Sequence, residues 1–269
     1  MKNFIMYKHK KVDRTLDEKF VTPFLKKAQV AEFRELKNII NEIYSETKEP
    51  LEILDMGVGD GRVPLLLSKE PIWKKIKLYV GIDNSILEVK KSKRLVNERK
   101  LEDKVKVVHF DATNLDKKNS NEIFKTSYNL VICTYFTPGN FKPDEIRIQA
   151  GRNGLILPYP KSSLEPNKKF IRIFKAAYKL LKERGKMILG TTYIDNDMNR
   201  IRQEEFYDKC GMTVITSNKD SFTATKEGFW SQRFTKKRIY DYFPWLKKEK
   251  IKFVPLDNYN FAWMIICPR

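Results

Sequence analysis

The sequence predicts an α/β protein: a doubly wound, seven-stranded, mostly parallel sheet with an antiparallel C-terminal strand pair, helices on both faces, an N-terminal helical arm and an inserted hairpin. Three observations carry this expectation. Short apolar runs alternate with segments of helical period, the first of those runs leads straight into a glycine-spaced turn, and two apolar stretches near the C-terminus flank a cluster of turn-forming residues.

Over 23–46, Phe24, Ala28, Phe33, Leu36, Ile39, Ile40 and Ile43 recur at three- to four-residue spacing and Pro50 closes the segment, which predicts an amphipathic helix. Strands are expected at 51–55, 78–83, 105–110, 128–134 and 186–192, most of them separated by helical or loop-length stretches, as parallel pairing requires. A helix over 197–210 and a hairpin between 213–217 and 221–225 follow, and Thr235 is placed to cap a helix reaching about residue 246. Strands at 251–256 and 261–267 then flank Asp257-Asn258-Tyr259-Asn260. In domain terms, 1–48 is read as a helical arm forming a lid, and 49–269 as one domain with insertions at about 142–167 and 211–234.

The chain has 269 residues, 41% hydrophobic and 32% charged, with 53 Lys and Arg against 34 Asp and Glu, a net charge of +19. That describes a folded chain long enough for a large core. Its apolar runs, such as 63–67 and 187–190, fall far short of the roughly 18 to 20 residues that cross a bilayer, so no membrane partner is expected. The N-terminus lacks the apolar stretch of a secretory signal, and Cys133, Cys210 and Cys267 fit neither a disulfide framework nor a zinc set; a cytoplasmic location is expected. The positive excess has two readings, a polyanion site or a solvated lysine-rich surface.

The most informative segment is Asp55-Met56-Gly57-Val58-Gly59-Asp60-Gly61-Arg62, where a strand meets a glycine-spaced turn and a helix start. Glycines there admit positive φ and close approach of backbone to a ligand. The dinucleotide fingerprint needs its third glycine at position 62, which is Arg62, so NAD is not expected. The spacing instead resembles motif I of the class I S-adenosylmethionine-dependent methyltransferases, and the resemblance extends from about Leu51 through Cys267. It implies S-adenosylmethionine as cofactor, with Asp55, Gly57 and Gly59 along its methionine and ribose part. The second strand ends in Asp83-Asn84, where the family places an acid on the ribose hydroxyls, and the third leads to Asp111-Ala112, where an acid meets the adenine amino group. Met56, Gly61 and Thr134 complete the implied cofactor set.

After the fourth strand, Cys133-Thr134-Tyr135-Phe136-Thr137-Pro138-Gly139-Asn140-Phe141 lacks the [ND]-P-P-[YFW] of exocyclic-amine methylation and offers no acid for a metal; Cys133 lies inside a strand, as a small buried hydrophobe would. Gly139-Asn140-Phe141 resembles a stretch of small-molecule N-methyltransferases, including the histidine methyltransferases of ergothioneine biosynthesis, where the Asn helps hold an amino-acid-like substrate. A turn without a ligand is the alternative. Tyr135 and Asn140 are the candidate catalytic residues, and Tyr7, Tyr193, Trp230 and Tyr259 the candidate substrate-binding aromatics, whose π faces favour a cation. His109 reads as structural and His9 as a weaker candidate base. The expected reaction is methyl transfer to a small amine or amino-acid-like acceptor, no metal being implied. An RNA methyltransferase using the basic surface and a catalytically silent cofactor-binding subunit stay open beside it; oligomeric state is not legible.

Overall fold

A computed structural model describes residues 11, 14–16, 19–117, 127–144, 147–148, 155–156, 166–216, 221–258 and 260–269. Helix α1, Pro23–Thr47, starts where the Thr22 hydroxyl accepts the Leu25 N–H and proline occupies the first turn, and it stops at Lys48 in the left-handed region (φ 58°). Strand β1, Leu51–Met56, is buried on both faces, and α2, Arg62–Leu67, follows the glycine turn. Next come β2, Ile76–Asp83; α3, Ile86–Glu98; β3, Val105–His109; and β4, Tyr128–Cys133. Arg147–Ile148 pairs antiparallel with Leu155–Ile156. The rest comprises α4, Lys168–Lys179; β5, Leu181–Tyr193; α5, Asp197–Lys209; β6, Phe222–Ala224; β7, Trp230–Gln232; α6, Lys236–Tyr242; β8, Lys252–Pro255; and β9, Ala262–Pro268.

The main sheet has seven strands in the order β8-β9-β5-β4-β1-β2-β3. Pairing is parallel from β5 through β3, whereas β9 runs antiparallel to β5 and to the edge strand β8. Alternate β1 side chains enter separate cores, so both faces are covered. Leu51 and Ile53 pack with α1, α2, α3 and α5. Leu54 and Met56 pack with α4, through Phe170, Ile173 and Phe174, and with α6. No helix among the described residues is long and apolar enough to cross a membrane.

Three expectations are corrected. The fifth strand begins at Leu181, five residues earlier than its apolar run, because Tyr128 of β4 already pairs with Leu181 before a register shift. The inserted ladder forms between 222–224 and 230–232 around a turn at Gly228 (φ 92°); Val214 touches the pair only through an isolated bridge to Thr225. Helix α6 ends at Tyr242, short of 246, since Pro244 has no N–H to continue it. Its Thr235 hydroxyl accepts the Arg238 N–H at 3.1 Å. Thr235→Ala is expected to cost about 1 kcal/mol in urea unfolding; an unchanged midpoint would show that this cap contributes nothing.

Candidate functional site

The carboxyl ends of β1, β2, β4 and β5 lie side by side, the edge where open α/β sheets hold ligands. Leaving β1, Gly57 and Val58 both donate to the Ile82 carbonyl, at 2.8 and 3.1 Å, so the turn remains stitched to β2. Gly57 and Gly59 have φ of 83° and 55°, a region costly for other residues. A Cβ at Gly57 would also lie 2.5 Å from the Thr137 methyl. The turn after β4 therefore rests directly on the motif I backbone. Gly61 caps α2 in the left-handed region against Ser92 of α3.

Asp83, at the end of β2, accepts the Gly59 N–H at 3.0 Å and the Ser85 N–H at 2.8 Å, one on each oxygen. Burial raises its pKa against the pull of these bonds. A carboxylate oxygen has a second lone pair, so Asp83 can shape the turn and still accept from a ligand. Asn84 is exposed, and its carbonyl accepts from His109 Nε2 at 3.1 Å. Asp111 caps a short turn by accepting the Thr113 N–H at 2.9 Å, with Ala112 beside it.

Asp55 is 1% exposed. Its Oδ2 accepts the Tyr79 hydroxyl at 2.6 Å while its Oδ1 has no hydrogen-bond partner among the described residues. Burial pushes its pKa up to about 7. This buried carboxylate therefore has one oxygen left open at a strand end among the described residues.

Thr134 is buried, and its carbonyl accepts the Thr137 N–H. Tyr135 and Phe136 both adopt positive φ, 49° and 65°. The Arg62 guanidinium sits 5.1 Å from the Tyr135 ring centroid. Phe136 stacks on Tyr193 at 4.4 Å, with Phe261 edge-on to Tyr193 at 5.2 Å. Asn140 ends the turn, and Gly139 packs against the Gln232 backbone of β7. Trp230 is fully enclosed, its ring stacked on Phe222 at 3.9 Å, which places it in the core of the inserted pair rather than on an open face. Met56 is buried at the end of β1. Tyr7, His9 and Tyr259 lie outside the described residues.

Sequence reasoning passed over Glu32, Arg62, Thr137 and Thr191. Glu32 is the instructive omission: it falls on the buried stripe of α1 between Ala28 and Leu36, and an acid on an apolar stripe is a visible signal. Its oxygens accept the Tyr135 N–H at 3.3 Å and the Thr191 hydroxyl. Burial raises it to about 7, with Asp55 pushing the same way and Arg62 opposing.

No family model and no curated protein matches the chain. Solved structures match its fold. The magnesium protoporphyrin IX methyltransferase of Synechocystis, solved with bound S-adenosylhomocysteine, is 11% identical over 96% of this chain and 93% of its own, with a TM-score of 0.53. An S-adenosylmethionine-dependent methyltransferase from Clostridium acetobutylicum is 14% identical over 87% and 89%, with a TM-score of 0.51. An amino pentose methyltransferase of calicheamicin biosynthesis from Micromonospora echinaspora is 10% identical over 88% and 91%, again at 0.51. The chain has the class I S-adenosylmethionine-dependent methyltransferase fold.

Proposed function

We propose that the protein is an S-adenosylmethionine-dependent methyltransferase acting on a small amine or amino-acid-like acceptor. The observation that carries the cofactor is Asp83, fixed by the motif I amide of Gly59 at the end of β2. The donor set fits. Asp83 suits a pair of hydroxyls, Asp111 an amino group, and the orphaned Asp55 Oδ1 a further donor.

When bound, the cofactor supplies a methyl group on a positively charged sulfur. Gly57 and Gly59 let backbone approach it, and the turn from Tyr135 to Asn140 walls off the reacting edge from water. An amine acceptor needs mainly proximity, desolvation and loss of its proton. Two observations support a cationic or amine acceptor: the buried acid Asp55, and the aromatic rings of Tyr135 and Phe136, both only half-buried. Tyr135 and Asn140 belong to the turn that would face the acceptor. The acids at the ends of β1 and β2, Asp55 and Asp83, favour a cation over a phosphate backbone.

RNA is a second acceptor class, favoured by the net charge of +19. The test is calorimetric titration with S-adenosylmethionine and S-adenosylhomocysteine, then labelled-methyl transfer to fractionated cell extract. Binding with label among small metabolites is the expected result. Label in RNA would replace the acceptor class, and no binding would overturn the reading.

A further inference from the structure

We propose that Glu32, outside every cofactor motif, is a positioning residue of this site that holds the turn after β4 in its working shape. The inference rests on the cofactor reading above.

Three non-glycine residues with positive φ, Tyr135 (49°), Phe136 (65°) and Thr191 (35°), lie at the ends of the neighbouring strands β4 and β5. Such conformations are costly for aromatic and β-branched residues and persist only where the surroundings over-determine them. The same carboxylate bonds both strand ends: Glu32 Oε1 accepts from the Tyr135 amide and Oε2 from the Thr191 hydroxyl. Gly190 leaves the room this needs, since a Cβ there would collide with the Glu32 carboxylate. Glu32 is 2% exposed and is carried by α1 between Ala28, Ala31 and Leu36, all buried in the core, so it is a fixed strut.

The strut reaches the cofactor side in one further contact. Beyond Tyr135, the Thr137 methyl fills the space over Gly57 that a side chain would otherwise take. The neighbouring Phe136 ring stacks on Tyr193, and Arg62, at the start of α2, lies over the Tyr135 ring. Loss of the acceptor for the Tyr135 amide releases the turn to relax from positive φ. Thr137 then moves off Gly57 and the pocket wall shifts. Glu32 thus acts through Tyr135 and Thr137, with no need to touch a ligand.

The test compares wild type, Glu32→Ala and Glu32→Gln by calorimetric titration with S-adenosylhomocysteine and by amide hydrogen exchange at Tyr135. Glu32→Ala, still unfolding cooperatively, is expected to bind about tenfold more weakly and to exchange the Tyr135 amide about tenfold faster, the loss of roughly one hydrogen bond. Glu32→Gln is expected to restore most of both, because its amide oxygen can accept from Tyr135 and its NH2 can donate to the Thr191 hydroxyl. If Glu32→Ala does not fold, Thr191→Val takes its place: it exchanges the hydroxyl for a methyl, so the Glu32 carboxylate loses its bond to β5, and it is expected to weaken binding in the same direction. Wild-type affinity and a protected Tyr135 amide in the Ala variant, or wild-type affinity in the Val variant standing in for it, would overturn the inference. So would a folded Gln variant as defective as the Ala variant, which would make charge rather than shape the requirement. A wild-type chain that fails to bind sinks the cofactor reading and this inference with it, whereas wild-type binding with unmoved variants sinks this inference alone.

Discussion

Replacing Asp83 with Ala is expected to weaken binding of S-adenosylmethionine and S-adenosylhomocysteine by more than tenfold, with thermal unfolding still cooperative. Two losses act in the same direction. The substitution deletes a carboxylate whose free lone pairs are placed for hydroxyl donors, at a cost of at least about 1.5 kcal/mol for charge-assisted bonds. It also deletes the acceptor of the Gly59 and Ser85 amides, so the glycine turn loses one of its ties to β2 and the start of α3 loses one of its fixed points. Asp83→Asn separates the two. Its single carbonyl oxygen can satisfy one amide but confronts the other with an NH2 group, so the turn is partly held while the charge is gone. An intermediate affinity is expected. Calorimetric titration reads both variants, and wild-type affinity in a folded Asp83→Ala chain would end the cofactor assignment.

The parts of this site readable from the sequence are those written locally. Strands β1, β2 and β3 are short apolar runs each leading into a turn signal, so their positions and the acids at or just past their ends, Asp55, Asp83 and Asp111, follow from neighbours in sequence. What the sequence hid is decided at long range. The pairing of 222–224 with 230–232 is secured by Arg233, which is buried and donates to Thr223, to Gln203 of α5 and to Asp195 beyond β5. Nothing within the segment 213–225 itself specifies that partner. Trp230 illustrates the same limit: an aromatic near a strand end reads as a possible cage wall, but whether its face is open depends on Phe222 across the ladder. Glu32 was visible as an acid on an apolar stripe, yet its partners Tyr135 and Thr191 lie more than a hundred residues away.

The buried acids also make stability depend on pH in an unusual sense. Asp55 and Glu32 are each raised to about 7 by desolvation. A carboxyl whose folded-state pKa exceeds its unfolded value binds more protons folded than unfolded between the two. Its contribution to stability is therefore greatest at low pH, falls as pH rises through that window, and is level above it. For Asp55 the window runs from its ordinary value of 3.8 to about 7. Asp55→Asn removes the titration while its side-chain oxygen still accepts from the Tyr79 hydroxyl. The variant is accordingly expected to be more stable than wild type, by a margin that opens between about pH 4 and 7 at a rate on the order of 1.4 kcal/mol per pH unit and is constant above. Urea unfolding at pH 5 and pH 8 measures the margin. Using the difference between two chains cancels the repulsion that the excess of Lys and Arg adds at low pH for both. The same variant is expected to bind S-adenosylmethionine more weakly, since the charge that burdens the fold is what an incoming donor would neutralise; gain in one and loss in the other is the trade of a site kept for function. A variant no more stable than wild type at pH 8 would show that Asp55 is not held as a strained, desolvated carboxylate.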